Sequence, residues 1–207
     1  MDNLWPFILT AFIIESTPGP NMAFLALVSA TEGRRYGFAT VLGVTLGLLI
    51  IGLLAAVGVA TLITQSPTAF EILRWGGIIY LLYLAWEGWR ESGENSPHAM
   101  AAHKSTTQYF RHGLIVNLLN PKAAFFYIAI LPSFLSGAED GVGQTTILTL
   151  IYVIIATLMH LIIVSFAGLF NPYLADPMRN KRTRQILSLA LAAVAIWFGW
   201  STRHSLG

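Results

Sequence analysis

Two proline-containing stretches interrupt apolar segments of this chain, and they constrain its fold more than any other feature. Residues 17–21 read TPGPN inside the first hydrophobic run, and residues 117–122 read NLLNPK inside a later one. Proline lacks an amide donor and clashes with the preceding turn, so it ends or kinks a helix. In a membrane, such irregular backbone is tolerated only where it is buried in protein or lines a cavity. We therefore predict that the two breaks mark the functional site.

The composition indicates an integral membrane protein. Hydrophobic residues make up 55% of the chain, charged residues make up 11%, and the mean hydropathy is +0.65. A soluble domain of 207 residues could not bury that much apolar surface. A spanning helix needs about 20 apolar residues, and six stretches approach this length: residues 5–30, 37–63, 69–89, 114–135, 143–170 and 186–202. We predict an all-α membrane protein with six transmembrane helices, of which helices 1 and 4 are broken by proline.

The distribution of basic residues predicts the orientation in the membrane. Nine of the 12 Lys and Arg residues lie in the odd-numbered connections: Arg34, Arg35, Arg90, Lys104, Arg111, Arg179, Lys181, Arg182 and Arg184. The positive-inside rule places these connections in the cytoplasm and both termini outside it. We expect a multi-pass protein of the cell inner (cytoplasmic) membrane. The first run should remain in the mature protein, because no Lys or Arg precedes it as in a signal peptide.

The chain also repeats itself weakly. Residues 20–24 and 121–125 share the pattern P-x-x-A-F, and each copy begins a group of three predicted helices. Because three is an odd number, the two groups must have opposite orientations, as in the inverted repeats of secondary transporters. The longest polar run separates them. We predict a first three-helix repeat over residues 1–90, a cytoplasmic linker over 91–112 and a second three-helix repeat over 113–207.

Several motifs resemble those of a known family. Residues 17–21, the aromatic segment 80–86, and residues 117–124 followed by 131–134 are similar to the LysE/RhtB family of amino-acid exporters. The similarity covers essentially the whole chain. It implies export of amino acids or related metabolites across the inner membrane, driven by the proton gradient. Many members of that family carry Asp where this chain has Asn21, so the resemblance leaves the role of this position open.

The helix breaks themselves predict an anion-binding site. Pro18, Gly19 and Pro20 form the first break and Pro121 the second, and we assign these four residues to helix breaking and gating. The helices that restart after each break present free N–H groups and the positive end of the helix dipole. Such helix ends attract anions. The place where the two breaks meet should therefore hold a carboxylate.

Four polar residues near the breaks are the candidate substrate-binding residues. Lys122 is expected to bind the substrate carboxylate, and Glu15 could receive an ammonium group or carry a proton. The two could instead form a buried structural ion pair. Asn21 and Asn120 either contact substrate or bond the carbonyls that the prolines free. His160, deep in the fifth predicted span, either relays protons or bonds a carbonyl.

Two further patterns in the spans invite a packing interpretation. Gly43 and Gly47 form a G-x-x-x-G motif in the second span, which predicts close contact with a neighbouring helix. Tyr80, Tyr83 and Trp86 share one face of the third span. These aromatic side chains either pack against a neighbour or line the cavity, and packing is the favoured interpretation.

Other functions lack their sequence signatures. The chain has no H-E-x-x-H, no G-x-S-x-G and no phosphate-binding G-x-x-x-x-G-K-[ST]. It also has no cysteine, which removes thiolate metal sites. We expect no catalytic residue, no metal, no cofactor and no nucleic-acid partner. The expected partners are a small-molecule amino acid, protons and the lipid bilayer, and a homodimer is left open. A non-transporting membrane scaffold and a membrane-embedded enzyme are the alternatives.

Overall fold

The computed structural model describes residues 4–58, 66–91, 105–135 and 141–201, and all regular structure in these ranges is helical. They contain eight α-helices: α1 (Leu4–Ser16), α2 (Pro20–Glu32), α3 (Arg34–Ala56), α4 (Pro67–Glu91), α5 (Thr106–Leu118), α6 (Pro121–Phe125), α7 (Gly141–Ala167) and α8 (Pro177–Ser201). A π-helical turn, Phe126–Ile130, and a 3-10 turn, Leu131–Phe134, continue α6. Two 3-10 turns, Gly168–Phe170 and Pro172–Ala175, follow α7.

Helix breaks occur at both proline-containing stretches. The axes of α1 and α2 are bent by 57°, and those of α5 and the segment Lys122–Phe134 by 49°. Pro20 is the first residue of α2 and Pro121 the first residue of α6. This is the helical position that proline favours, since the first amide has no intrahelical partner to lose. Each bent pair is therefore a local consequence of its proline.

Length and composition support fewer spans than the sequence predicted. Two helical segments, Arg34–Ala56 and Gly141–Phe170, are long and apolar enough to cross a membrane alone. Counting each bent pair as one span raises the number to four within the described ranges. The prediction of six spans also includes α4 and α8. Each of these is a helix of 25 residues, but neither meets the same standard of length and apolarity.

The predicted linker lies partly outside the described residues. Residues 92–104 of the range 91–112 are not described, and α5 already begins at Thr106. Its N-cap is Ser105, whose side chain accepts a hydrogen bond from the Gln108 amide. The fourth apolar stretch was predicted to begin at residue 114. The first turns of α5 are polar, so hydropathy alone does not show that the helix already includes them. Tyr109 in those turns is nevertheless buried.

Glycine residues allow α3 and α5 to pack with their backbones in contact. A Cβ atom on Gly43 would collide with the Phe110 carbonyl oxygen, and one on Gly113 would collide with the Thr40 carbonyl oxygen. A Cβ on Gly47 would lie 2.8 Å from Asn117 Nδ2. The predicted G-x-x-x-G motif therefore packs against another helix, as small residues do in membrane proteins.

Arginine side chains connect the helices at one end of the assembly. At one end, Arg34 at the start of α3 donates to the Ser165 carbonyl oxygen near the end of α7, at 2.9 and 3.2 Å. Arg184 pairs there with Glu32, the last residue of α2, at 2.5 Å. We call this the basic end. Asp176 precedes α8 and accepts hydrogen bonds from the amides of Met178 and Arg179, which lower the pKa of its carboxyl group.

Two apolar clusters flank the middle of the molecule. One joins α1, α3, α6 and α7 and includes Phe7, Phe126 and Tyr152. The other joins α2, α4, α5 and α8 and includes Phe24, Leu84 and Leu191. The breaks between α1 and α2 and between α5 and α6 lie between these clusters. Packing on both sides thus encloses the polar residues of the breaks.

Candidate functional site

A small polar cavity lies where the two helix breaks meet. Ten residues line it: Glu15, Gly19, Asn21, Met22, Leu48, Asn120, Lys122, Ala123, Tyr152 and His160. We call it the inner cavity. It brings together all four predicted substrate-binding residues and Gly19 of the first break. Of the other break residues, Pro20 is buried and Pro18 is exposed.

Glu15 is the centre of the cavity's polar contacts. Its side chain lies in the last turn of α1, and the residue is only 4% exposed. Oε1 accepts a hydrogen bond from the Tyr152 hydroxyl at 2.6 Å and lies 3.8 Å from Lys122 Nζ. Oε2 lies 3.6 Å from His160 Nε2. One buried carboxylate therefore faces a hydroxyl, an ammonium and an imidazole.

The Lys122 side chain connects the second break to the first. Its Nζ donates a hydrogen bond to the Thr17 carbonyl oxygen at 2.9 Å. The stem of the side chain passes over Gly19, where a Cβ atom would lie 3.3 Å from Lys122 Cδ. The end of α1 leaves its last carbonyls without intrahelical partners, and Lys122 satisfies the one at Thr17. Lys122 thus stabilises the first break as well as facing Glu15.

Two asparagines form a second bridge between the breaks. Asn21 Nδ2 donates to Asn117 Oδ1 at 2.7 Å, and both residues are buried. Asn21 Oδ1 and Asn117 Nδ2 have no hydrogen-bond partner within the described ranges. Buried polar atoms are ordinarily paired, so this amide pair has one donor and one acceptor to spare.

The two restarted helices do not offer equivalent N-termini. Asn120 is the N-cap of α6, and its side chain accepts from the Lys122 amide at 3.0 Å. Gly19 is the N-cap of α2 and supplies no side-chain cap. The first amides of a helix have no intrahelical partner, so α2 keeps amides that could bind an anion, while Asn120 already occupies one in α6.

The sequence did not predict a role for Tyr152, and it left two roles open for His160. Both residues lie on the buried face of α7, with Thr145, Thr149, Val153, Ala156 and Val164. His160 is 1% exposed, and its Nδ1 has no hydrogen-bond partner among the described residues. Within the described ranges, Nδ1 therefore bonds no carbonyl, and Nε2 faces Glu15 Oε2 at 3.6 Å. The spacing of polar residues along α7 was the available signal for Tyr152.

The aromatic face of the third predicted span does not line the inner cavity. Tyr83 and Trp86 are 47% and 56% exposed, and their rings contact each other at a centroid distance of 6.4 Å. Tyr80 stacks on Tyr83 at 6.1 Å. Tyr80 also meets the His112 ring of α5 edge-on at 6.5 Å and packs on the second apolar cluster. Tyr83 and Trp86 therefore face outward from α4, while Tyr80 packs against a neighbouring helix.

The inner cavity is closed around its charges. The inner cavity has a volume of about 10 Å³, which is space for about one water molecule. A free amino acid is several times larger, so binding one requires the helices around the cavity to separate. No group of three or more His, Cys, Asp or Glu that could hold a metal ion occurs in the part of the chain described.

Comparison with known proteins places these observations in context. A family profile described as LysE type translocator matches residues 12–204. The homoserine/homoserine lactone efflux protein of Salmonella typhi is 29% identical over 199 residues, 96% of each chain. The leucine efflux protein of Enterobacter sp. (strain 638) is 31% identical over 170 residues, 81% of this chain and 80% of the relative. No solved structure matches the chain significantly.

Proposed function

This chain belongs to the LysE family of translocators, and from that membership we propose that it exports amino acids across the cytoplasmic membrane in exchange for protons. The resemblance predicted from the motifs is confirmed. Members of the family are multi-pass membrane transporters that carry out efflux and are not enzymes. The two alternatives, a membrane-embedded enzyme and a non-transporting scaffold, are therefore set aside.

The arrangement of opposite charges in the inner cavity carries this proposal. Lys122 and the uncapped N-terminus of α2 would bind the substrate carboxylate, and Glu15 would bind the ammonium group. Glu15 Oε1 and Lys122 Nζ are 3.8 Å apart, and both side chains are mostly buried. Intramembrane charges are costly and usually functional. A zwitterionic amino acid would replace the contact between this buried acid and base, with its ammonium group on Glu15 and its carboxylate on Lys122.

The remaining predicted site residues have supporting roles in the proposal. Asn21 and Asn120 line the cavity and would contact the bound substrate. Pro18, Gly19 and Pro20 would keep α1 and α2 apart, and Pro121 would do the same for α5 and α6. Opening at these breaks would admit the substrate, since hinges are commonly residues at the ends of helices.

Competition for Glu15 would couple export to proton entry. A proton arriving from outside neutralises Glu15 and releases the substrate ammonium, and loss of that proton to the cytoplasm restores the carboxylate. One acidic group then suffices for exchange. His160 lies 3.6 Å from Glu15 Oε2, nearer the basic end than Tyr152, and would accept the proton on the cytoplasmic side.

Transport measurements in inside-out membrane vesicles test the function. We expect vesicles that contain the protein and have an acidic lumen to accumulate labelled L-leucine, L-homoserine or another member of an amino-acid panel. Collapsing the pH gradient with an ionophore should remove the accumulation, and vesicles without the protein serve as the control. If no amino acid in the panel enters the lumen, or if entry ignores the gradient, the proposal is wrong.

We further propose that α4 and α8 also cross the membrane, giving six spans in two inverted three-helix repeats with both termini outside. Reporters fused after Arg35, within residues 95–105 and after Lys181 should then report a cytoplasmic location. A reporter fused at Gly207 should report an external one. A cytoplasmic Gly207 would contradict both the six-span count and the inversion. A homodimer stays a prediction.

A further inference from the structure

A second, larger cavity lies at the end of the molecule opposite the basic end. It has a volume of about 520 Å³. Residues at the end of α3, the π-helical and 3-10 turns after α6, and the beginning of α7 line it; Tyr127, Leu131 and Thr145 are among them. We call it the outer vestibule. In the proposed topology it faces the outside of the cell.

Aromatic side chains separate the outer vestibule from the inner cavity. The Tyr127 ring lines the vestibule, and its hydroxyl donates to the Leu48 carbonyl oxygen at 3.0 Å. Leu48 and Tyr152 line the inner cavity. Tyr152 packs edge-on against Tyr127, with centroids 5.5 Å apart, and stacks on Phe126 at 3.6 Å. A substrate cannot pass this layer unless the rings move.

Hydroxyl groups on α7 run along the same route. Thr145 lines the vestibule, Thr149 lies one turn further along the helix, and Tyr152 lies three residues beyond Thr149 on the same buried face. The Thr149 hydroxyl is buried without a hydrogen-bond partner among the described residues. The Tyr152 hydroxyl donates to Glu15. Each hydroxyl can both donate and accept a proton.

Gly52 lets α3 pack directly against this route. A Cβ atom at Gly52 would lie 2.8 Å from both Thr149 Oγ1 and Tyr127 Cε1. The threonine hydroxyl and the tyrosine ring therefore face the same point on α3. A larger residue there would collide with the Thr149 methyl group and would push Thr149 and Tyr127 away from α3.

We propose that protons reach Glu15 from the outside through the hydroxyls of Thr149 and Tyr152 while the aromatic layer stays closed to the substrate. A hydronium ion in the vestibule gives its proton to the Thr149 oxygen and becomes water. The Thr149 hydroxyl, which has no partner among the described residues, turns toward Tyr152 and passes its own O–H proton to the Tyr152 oxygen. The Tyr152 oxygen accepts a proton as its own O–H proton moves to Glu15 Oε1, and Glu15 changes from charge −1 to neutral. The hydroxyls then rotate back.

The surroundings of Glu15 are consistent with entry at this oxygen. Tyr152 and His160 face Glu15 from α7, and Lys122 faces it from α6. Lys122 cannot deliver a proton to the carboxylate and keep its pairing with it. His160 contacts the other carboxylate oxygen, Oε2, from the side of the basic end. Tyr152 is thus the group that joins Glu15 to the vestibule.

The experiment compares two transport modes in proteoliposomes, using labelled L-homoserine or L-leucine, whichever accumulates in the vesicle panel. Tyr152→Phe keeps the ring contacts, and Thr149→Val keeps the side-chain shape, but each removes a hydroxyl. We expect at least a tenfold loss of accumulation driven by a pH gradient in both variants. Exchange of substrate for substrate at equal pH should be unchanged in Thr149→Val, because Thr149 does not line the inner cavity. Thr146→Val is the matched control, because within the described ranges its hydroxyl bonds the Val142 carbonyl oxygen of its own helix and no other group.

The inference rests on the proposed proton coupling, and the outcomes separate the two. If Glu15→Gln fails to accumulate substrate but Tyr152→Phe and Thr149→Val accumulate it as the parent does, coupling stands and the proton route is wrong. Equal loss of both transport modes in Thr149→Val would also overturn the route, since its hydroxyl would then be needed for substrate binding. If Glu15→Gln accumulates substrate normally, the coupling proposal itself fails.

Discussion

Replacing Glu15 with Gln should abolish accumulation of substrate against its concentration gradient. Gln keeps the size of the side chain and can still accept the hydrogen bond from Tyr152, but it can neither gain nor lose a proton. For exchange of one proton per substrate, a gradient of one pH unit without a membrane potential supports roughly tenfold accumulation. We expect the variant to equilibrate substrate without accumulating it, as measured in inside-out vesicles with an acidic lumen.

The same change at a second glutamate controls for a general effect of losing a carboxylate on folding. Glu32 pairs with Arg184 at the basic end, away from the inner cavity, so Glu32→Gln removes a carboxylate of the same kind. This variant should retain accumulation, although the ion pair between residue 32 and Arg184 at the basic end is lost. Normal accumulation by Glu15→Gln would transfer the coupling role to His160, whose substitution by Gln is the next test.

Replacing Lys122 with Met should raise the half-saturation concentration for free amino acids by about 10–150-fold. This corresponds to the roughly 1.5–3 kcal/mol of a hydrogen bond to a charged group. Homoserine and its lactone provide an internal comparison, because the lactone has no free carboxylate. If both compounds are substrates, the loss should fall on homoserine, and transport of the lactone should change little. An unchanged half-saturation concentration for homoserine would exclude Lys122 as the carboxylate ligand.

The same substitution should also lower stability, and a double variant separates the two effects. Lys122→Met leaves Glu15 buried without its cation, a change that typically costs about 3–5 kcal/mol. It also leaves the Thr17 carbonyl oxygen without the bond from Nζ. Glu15→Gln with Lys122→Met removes both charges, so thermal stability in detergent should recover in part. Transport should not recover, because neither end of the zwitterion has its partner.

Local chemistry explains what the sequence could predict. Pro20 and Pro121 begin helices, because the effect of proline acts on the adjacent turn and needs no tertiary information. The contact between Glu15 and Lys122 in one cavity was also predictable, because charged residues within membrane-spanning segments face the protein interior and pair with one another. The role of Asn120 as a cap had a signal too, since Asn is favoured before the first turn of a helix.

Long-range packing explains what the sequence could not predict. Tyr152 is 137 residues from Glu15, and their contact exists only because α1 packs on α7. A tyrosine in an apolar helix looks the same whether it packs or donates. The number of spans also could not be determined from the sequence. Both α4 and α8 mix charged and apolar residues, so their hydropathy does not show whether they cross the membrane.

The glycine contact between α3 and α5 limits how such a molecule can rearrange. These helices belong to different predicted repeats, and their backbones touch at Gly43 and Gly113 with no side chain between them. Sliding one helix along the other would drive neighbouring side chains into the opposing backbone, whereas tilting about the contact point would not. The contact can therefore serve as a fulcrum: small rotations about it would be magnified at the two ends, where the outer vestibule and the pair of Arg184 and Glu32 lie.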